Sequence, residues 1–593
     1  MSPSQTLRLV ALVAAAMTAA NASAAEGRAK VFRLPSEPVA QALLRFAVQG
    51  DVSVGWVGAG ACSGLSRPVQ GEMPPAEALR RMLPESCAFA AVDARTFRIT
   101  GRSRPPGRRE TPPRAGSAPL TPVPRAGAPL EELVVTAEKR AEPLIASPFP
   151  VSALSGAELA RLGARSLQDV AGQIGGVAST NLGQGRNKIF VRGLSDGSFT
   201  GLTQSTVGIY LDDTPLTYSA PDPALRLADV QRLEVLRGPQ GTLYGSGSVG
   251  GIVRIVTNKP DPSRFAAAFA VEGALTEHGG PSSEVEAVLN LPFAHTGAAA
   301  RLVAYGEILG GYIDNPRLDL RRVNRSRRMG GRLSVLAPLG DWRILATAAH
   351  QEIDADDTQY TLGGTRLIRD TALREPHDND ISVLSVTATR GFAWGDLRLT
   401  AAGVNHVLHT RYDASDSFGV SGPAAFDQRQ EVSMGLAQAE FASSGQGRSH
   451  WLAGLFAAHA REPDSAALTA ATRLMVYRRT DHLVEAAAYG EFAYDLTSRL
   501  TATLGGRLFE SWLRTRSSDF ELSPRMRPMR ADLRDRGFAP KARLSYAAAP
   551  DRVFYVQAQE GFRTGGFNLP LSVAEPGPGQ TFRRRVRPDR LRS

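Results

Sequence analysis

The side chains in this chain that could carry bond chemistry are few and poorly spaced for it. Its nine histidines are scattered, and the one close pair, His406 and His409, is three residues apart in a segment that reads as a strand, so the two rings point to opposite faces. Neither the H-E-x-x-H pattern of helical zinc sites nor the G-x-S-x-G nucleophile elbow occurs. Residues Gly245 to Gly250 do satisfy G-x-G-x-x-G, but a dinucleotide site needs a helix to begin there, and β-branched Ile252, Val253, Ile255 and Val256 follow instead. The expectation is no catalytic residue, no cofactor and no metal site. Two cysteines remain, Cys62 and Cys87. In an exported chain an even pair reads most simply as a disulfide, worth roughly 3–4 kcal/mol for a loop of this length; two buried free thiols are the alternative.

Export is what the N-terminus predicts. Residues 9–20 form a short apolar run behind Arg8, and Ala22-Ser23-Ala24 suits a secretory cleavage site, so residues 1–25 read as a signal peptide. No other uninterrupted apolar run approaches the length of about 18 residues that a membrane helix needs, so any membrane role must come from strands. The net charge of +11 is local: residues 102–128 and 583–593 each carry six arginines against one carboxylate. No basic stripe with interleaved aromatics follows, which argues against a nucleic-acid partner.

The stretch from Ala228 to Pro260, ADVQRLEVLRGPQGTLYGSGSVGGIVRIVTNKP, reads as strand, glycine-rich loop, strand. With Ile189 to Gly193 (IFVRG) and Val207 to Leu216 (VGIYLDDTPL), it closely resembles the plug domain of TonB-dependent outer-membrane receptors, in the family's order and spacing. Residues 138–262 are the plug expected from this resemblance, with helices over Gly156–Leu162 and Ser166–Ala171. Its polar loops are expected at Leu194–Ser205 and Thr217–Leu225. The resemblance also implies ion pairs between Arg192 and Arg237 of the plug and barrel glutamates, of which Glu560 could be one. Arginines on a solvated rim are the other reading.

Ahead of the plug, Glu131-Glu132-Leu133-Val134-Val135-Thr136-Ala137 is a short β-prone segment that can be captured by strand addition. It looks like the TonB box of the family, and an ordinary edge strand is the alternative. Residues 102–130, rich in Pro, Arg, Gly and Ala, form a linker. Residues 30–101 alternate strands and helices on the scale of a small α+β domain and resemble the short N-terminal domain shared by secretins and signalling TonB-dependent receptors. That domain lies in the periplasm and contacts an inner-membrane anti-sigma regulator in the family; a spacer without a partner is the other reading.

From Arg264 onward, segments of about 8–14 residues alternate apolar and polar, as Trp342, Ile344, Ala346 and Ala348 do with Arg343, Thr347 and Gln351. Period two with lipid outside and a polar lumen fits a transmembrane β-barrel. Trp342, Trp451, Trp512, Tyr546 and Phe554 suit its interfacial girdle. The expected fold is therefore multidomain: a small α+β periplasmic domain, an α+β plug, and a partial antiparallel transmembrane β-barrel over residues 263–593. About 14 strands are expected between Arg264 and Phe562 against the family's 22, and residues 587–593 resemble the opening of a further strand. A C-terminally truncated receptor is the resulting expectation.

The function the resemblance implies is active import of a ferric siderophore-like ligand across the outer membrane. TonB and its inner-membrane energising complex would drive it, and the N-terminal domain would signal to the anti-sigma regulator. Another nutrient (cobalamin or an oligosaccharide), a non-functional fragment, and a secretin-like assembly component are the alternatives.

Overall fold

The computed structural model describes residues 29–593 except 51, 58–64, 85, 94–95, 102–133, 137, 140–141, 196–203, 218–221, 362–366, 417–420, 445–446, 519–520, 522–527, 550 and 569–584. The signal region, the linker, Glu131, Glu132, Leu133, Ala137 and Cys62 thus lie outside the described residues. The chain divides into two compact units, residues 1–126 and 127–593.

In the first unit, β1 (Lys30–Leu34) and α1 (Val39–Gly50) are followed by β2 (Ser53–Val57), β3 (Val69–Met73), α2 (Pro75–Met82), β4 (Cys87–Asp93) and β5 (Thr96–Gly101). Strand β1 pairs antiparallel with β3, while β5 lies between β2 and β4. The helices form because apolar residues recur at three- and four-residue spacing. Val39, Leu43 and Phe46 of α1 and Ala78, Leu79 and Met82 of α2 are buried together with Phe32, whose ring stacks on Phe46 at 5.4 Å. Ahead of α1, Ser36 donates its hydroxyl to the Ser66 carbonyl at 2.8 Å. Strand β3 has a weak apolar pattern, because Gly71 and Glu72 stand between its buried ends Val69 and Met73. Cys87 is disulfide-bonded.

The second unit begins with β6 (Val134–Val135), β7 (Glu142–Pro143) and β8 (Val151–Ser155), then α3 (Gly156–Arg161), α4 (Leu167–Ala171), β9 (Val177–Ser179) and β10 (Ile189–Val191). Strands β11 (Val207–Leu211), β12 (Thr214–Pro215), β13 (Val230–Arg237) and β14 (Gly251–Thr257) follow, with the short helix α5 (Gly241–Tyr244) before β14. The helix starts carry capping boxes at Ser155/Glu158 and Ser166/Asp169, which satisfy backbone N–H groups left free in the first turn. One five-stranded sheet, ordered β12-β11-β14-β13-β8, is the plug-like core. The glycine-rich loop connects α5 to a strand, not a strand to a helix, so no phosphate-binding helix N-terminus follows it. Gly251 has φ +145°, and a Cβ there would stand 2.2 Å from the Leu236 carbonyl, so this crossing requires glycine.

A 14-stranded antiparallel sheet surrounds this core. Its strands are β15 (Ala266–Leu275), β16 (Pro281–Phe293), β17 (Ala298–Leu309), β18 (Ser326–Leu339), β19 (Trp342–Ala355), β20 (His377–Phe392) and β21 (Gly395–Asp413). Then come β22 (Ala425–Ser443), β23 (Ser449–Thr469), β24 (Arg473–Asp495), β25 (Leu500–Ser518), β26 (Met529–Ala549) and β27 (Arg552–Arg563). Thirteen of the fourteen therefore fall where 14 were expected. After β28 (Gly566–Phe567) and β29 (Arg585–Val586), β30 (Asp589–Arg592) pairs with β27 and completes the fourteen. Outward positions such as Leu455, Leu504, Leu508 and Val556 are exposed, as a lipid-facing surface requires. The inner wall carries the expected polar residues, among them Arg328, Asp481, Glu485, Arg507 and Lys541, and an apolar belt crosses it. Ile381, Val383, Val404, Met434, Leu483 and Leu513 face inward and share one continuous core with Ile209, Leu233, Val253 and Ile255 of the plug-like sheet. Where protein fills the lumen, apolar burial replaces hydration.

The two ends of the sheet differ. Connections 340–341, 393–394, 444–448, 496–499 and 550–551 are short, whereas 310–325, 356–376, 414–424 and 519–528 all lie at the opposite end. Transmembrane barrels place short turns toward the periplasm and long loops outside, which orients this sheet.

Candidate functional site

The box-like segment is docked. Val134 and Val135 pair with Pro143 and Glu142, and Val135 is fully buried among Phe149, Tyr210, Leu236 and Ile252. The next residue is held by charge. The Thr136 N–H donates to Glu234 Oε1 at 2.8 Å, Arg232 Nη2 donates to the Thr136 hydroxyl at 2.8 Å, and Arg254 donates to its carbonyl at 3.2 Å. Glu234 and Arg254 are register partners on β13 and β14, and Arg232 reaches the same carboxylate at 2.7 Å. Arg254 also meets Asp213 at 2.7 Å. Burial works to raise the Asp213 carboxyl, but Arg254 and the neighbouring cations prevail and hold it well below the usual carboxylate range.

Directly after the segment, two side chains tie the plug-like domain to the surrounding sheet. Glu138 accepts from Lys541 at 2.5 Å and from Arg543 at 2.8 and 2.9 Å. Burial works to raise this carboxyl too, and the Lys541 and Arg543 charges outweigh it and lower it. Lys139, in the left-handed region at φ 61°, pairs with Glu440 and donates to the Tyr489 hydroxyl at 3.1 Å. Burial pushes its ammonium below the ordinary value despite Glu440. Glu138, Lys139, Glu440 and Arg543 line an 820 Å³ cavity at the short-turn end, together with Asp396, Arg398, Asp495 and Arg499. A strand leaving this pocket would emerge on the periplasmic side.

The expected ion pairs of Arg192 and Arg237 with Glu560 are not what the structure contains. Arg237 donates to the Gly175 carbonyl at 2.9 Å, and Arg192 is exposed beside Gly238. Glu560, itself buried, is held by Arg590 at 3.2 Å and Arg592 at 2.8 Å. The cause is register: β30 lays Arg592 opposite Glu560, satisfying the carboxylate within the sheet. Other pairs join the two parts, including Asp229 with Arg301 at 2.6 Å and Arg332 at 3.3 Å, and Arg226 with Glu284. Of the expected disulfide pair, Cys87 is bonded and Cys62 lies outside the described residues.

At the long-loop end, a plug-like loop meets the start of β20. His377 Nε2 and Asn379 Nδ2 lie 3.0 and 2.9 Å from the Gly185 carbonyl, and Arg186 donates to the Glu375 and Pro376 carbonyls at 2.9 Å. Glu375 accepts from Arg369 at 2.6 Å. Residues 196–203 and 218–221 of the expected polar loops lie outside the described residues. His406, buried, approaches Asn379 at 2.7 Å, while His409 faces the other way toward Asp378.

Burial also raises the Asp222 carboxyl, from 3.8 to about 6. A carboxyl easier to keep protonated in the fold than in the unfolded chain contributes stability below pH 3.8 that is lost as pH rises through about 6. Asp222→Asn retains an oxygen for the Ala224 N–H and removes that loss. The variant is expected to be more stable than the parent by about 2–3 kcal/mol at pH 7 and equal to it near pH 3.5, read from urea unfolding at each pH.

An α+β domain filling an antiparallel lipid-facing sheet, with a short strand docked at its periplasmic mouth, defines a plugged outer-membrane receptor. Residues 143–252 match the TonB-dependent receptor plug domain, and residues 308–584 match the TonB-dependent receptor-like β-barrel. The chain belongs to the TonB-dependent receptors, outer-membrane proteins that are receptors and not enzymes. Among solved structures it is similar to the ferric yersiniabactin uptake receptor FyuA from Yersinia pestis, with TM-score 0.62 and 20% identity over 71% of this chain and 66% of that one. It is also similar to the ferripyoverdine receptor of the outer membrane of Pseudomonas aeruginosa, with TM-score 0.57 and 14% identity over 90% of this chain and 71% of that one. The ferric preacinetobactin receptor BauA from Acinetobacter baumannii gives TM-score 0.56 and 14% identity over 78% and 70%. The chain thus spans 66% to 71% of the length of these receptors. Among the described residues no helix is long and apolar enough to cross a membrane.

Proposed function

We propose that the chain imports a ferric siderophore-like ligand, that TonB captures residues 131–137, and that residues 30–101 signal to an anti-sigma regulator. The observation that carries the transport reading is the docked β6 strand. Its described residues are β-branched, pair with two others, and are followed by a threonine held by polar contacts. Such a strand can exchange its internal partner for an external one at little cost in backbone hydrogen bonds. The ligand class is supported by the similar receptors, whose names carry ferric yersiniabactin, ferripyoverdine and ferric preacinetobactin. The signalling reading is supported by the independently cored N-terminal domain and by the breadth of the match to the ferripyoverdine receptor.

Deletion of residues 131–137 is the test. Uptake of radiolabelled iron, supplied as a panel of ferric siderophores, is expected to fall to background while ligand binding to the cells persists. Unchanged uptake would remove the TonB assignment, and absence of binding to the parent chain would remove the ligand class.

A further inference from the structure

The outward face of β23 to β26 changes character abruptly toward the long-loop end. Register partners across these strands read Leu455, Ala488, Leu508 and Phe538 in one row, and Ala457, Ala486, Glu510 and Arg536 in the next. Beyond them come His459, Val484, Trp512 and Arg534, then Arg461, His482, Arg514 and Asp532, then Pro463, Thr480, Arg516 and Arg530. Within four rows of an apolar band the face thus carries six arginines against two carboxylates. No such excess occurs lower on these strands, whose outward residues are apolar or small.

A second feature adjoins the first. Small side chains at Ala486 and Ala488 leave an open groove of 790 Å³ between Leu455, Leu508 and Phe538, and Arg536 and Glu510 stand at its end. The Phe538 ring lies across Gly506, where a Cβ would come within 2.3 Å of it. Above the groove, the Arg534 guanidinium sits 5.7 Å from the centre of the Trp512 ring and pairs with Glu510. Tryptophan belongs at the level where acyl chains give way to headgroups, and arginine there costs little.

We propose that this face is a binding site for a phosphorylated membrane lipid, with an acyl chain in the Leu455–Phe538 groove and the phosphate on the arginine rows. Guanidinium groups match phosphate oxygens in pairs, and the excess of positive charge needs an anionic partner at this depth. The two carboxylates are already engaged, Glu510 by Arg534 and Asp532 by Arg514 at 2.8 Å. The site is on the outside of the sheet and stands independently of what ligand passes through it.

The full chain in neutral detergent would be titrated with bis-phosphorylated lipid A, with the same lipid after dephosphorylation, and with inorganic phosphate as competitor. The phosphorylated lipid is expected to bind at least about tenfold more tightly than its dephosphorylated form, with no displacement by an equal concentration of inorganic phosphate. The triple variant Arg516→Gln, Arg534→Gln, Arg536→Gln is expected to lose that preference, and Ala486→Trp, which fills the groove from the lipid side, to weaken both lipids. Equal binding of the two lipids, displacement by free phosphate, or unchanged affinity in Ala486→Trp would each overturn the proposal. Should the triple variant not fold, Ala486→Trp and the comparison of the two lipids decide alone.

Discussion

Replacing Glu138 by alanine is expected to free the docked strand without any ligand. Arg543 and Lys541 would both lose this carboxylate, while Lys541 would keep Glu491, at 2.7 Å. Breaking a buried pair by removing one partner costs up to about 3–5 kcal/mol, because a buried cation loses its carboxylate. Undocking exposes these cations further to the 820 Å³ cavity and relieves that cost, so the released state gains relative to the docked one. A gain of about 3 kcal/mol is roughly a 100-fold change in the docked-to-released ratio. The readout is maleimide labelling of a Val135→Cys variant, because Val135 is fully buried when docked and Cys87 is disulfide-bonded. Labelling about 100-fold faster with Glu138→Ala is expected; a rate within about twofold of the parent would mean that Glu138 does not hold the strand.

The second large effect is expected at Glu234. This fully buried carboxylate is shared by Arg232 and Arg254 and also accepts the Thr136 N–H. Glu234→Gln keeps an acceptor oxygen but removes the carboxylate shared by two buried guanidinium groups, leaving Arg254 with Asp213 and the more weakly acting Asp212. The plug-like sheet is expected to lose about 3–5 kcal/mol, seen as amide exchange in β13 and β14 accelerated by at least about 100-fold. Thr136→Val removes only a hydroxyl from the same network and is expected to cost about 1 kcal/mol. If the two variants exchange alike, the charges are not what stabilises this sheet.

Much of this architecture is legible in the residues because the local signals agree with the fold. The glycine-rich loop is bounded by β-branched runs, and the strands it joins appear within a residue or two of where those runs begin. The N-terminal helices follow their apolar spacing. Barrel strands were harder to delimit: β24 runs 23 residues, well beyond an expected 14, because its upper half leaves the lipid and its outward face turns polar at Arg478 and His482. Alternation of apolar and polar residues ends there although the strand does not. The inward apolar stripe of Ile381, Val383 and Leu483 has the same origin, since these positions face protein and not water.

Ion pairs were the least legible. Glu138 meets Arg543 across 405 residues, and Asp229 meets Arg301 across 72, so only the seating of the plug-like domain within the surrounding sheet decides the partners. Arg192 and Arg237 sit in two of the motifs that mark the plug, yet Arg237 reaches only the Gly175 carbonyl and Arg192 is exposed. The two plug arginines that clamp Thr136, Arg232 and Arg254, could have been noticed as charges inside otherwise apolar strands, because a buried charge needs a partner.

The account turns on whether ligand occupancy hands the 134–136 strand to TonB. The direct measurement is disulfide trapping between the Val135→Cys receptor and the periplasmic domain of TonB bearing a single cysteine, in outer-membrane preparations with and without ferric siderophore. A cross-linked band that rises on adding ligand, and that appears without ligand in Glu138→Ala, is expected. No cross-link in either case, with Val135→Cys remaining protected from maleimide when ligand is bound, would contradict it.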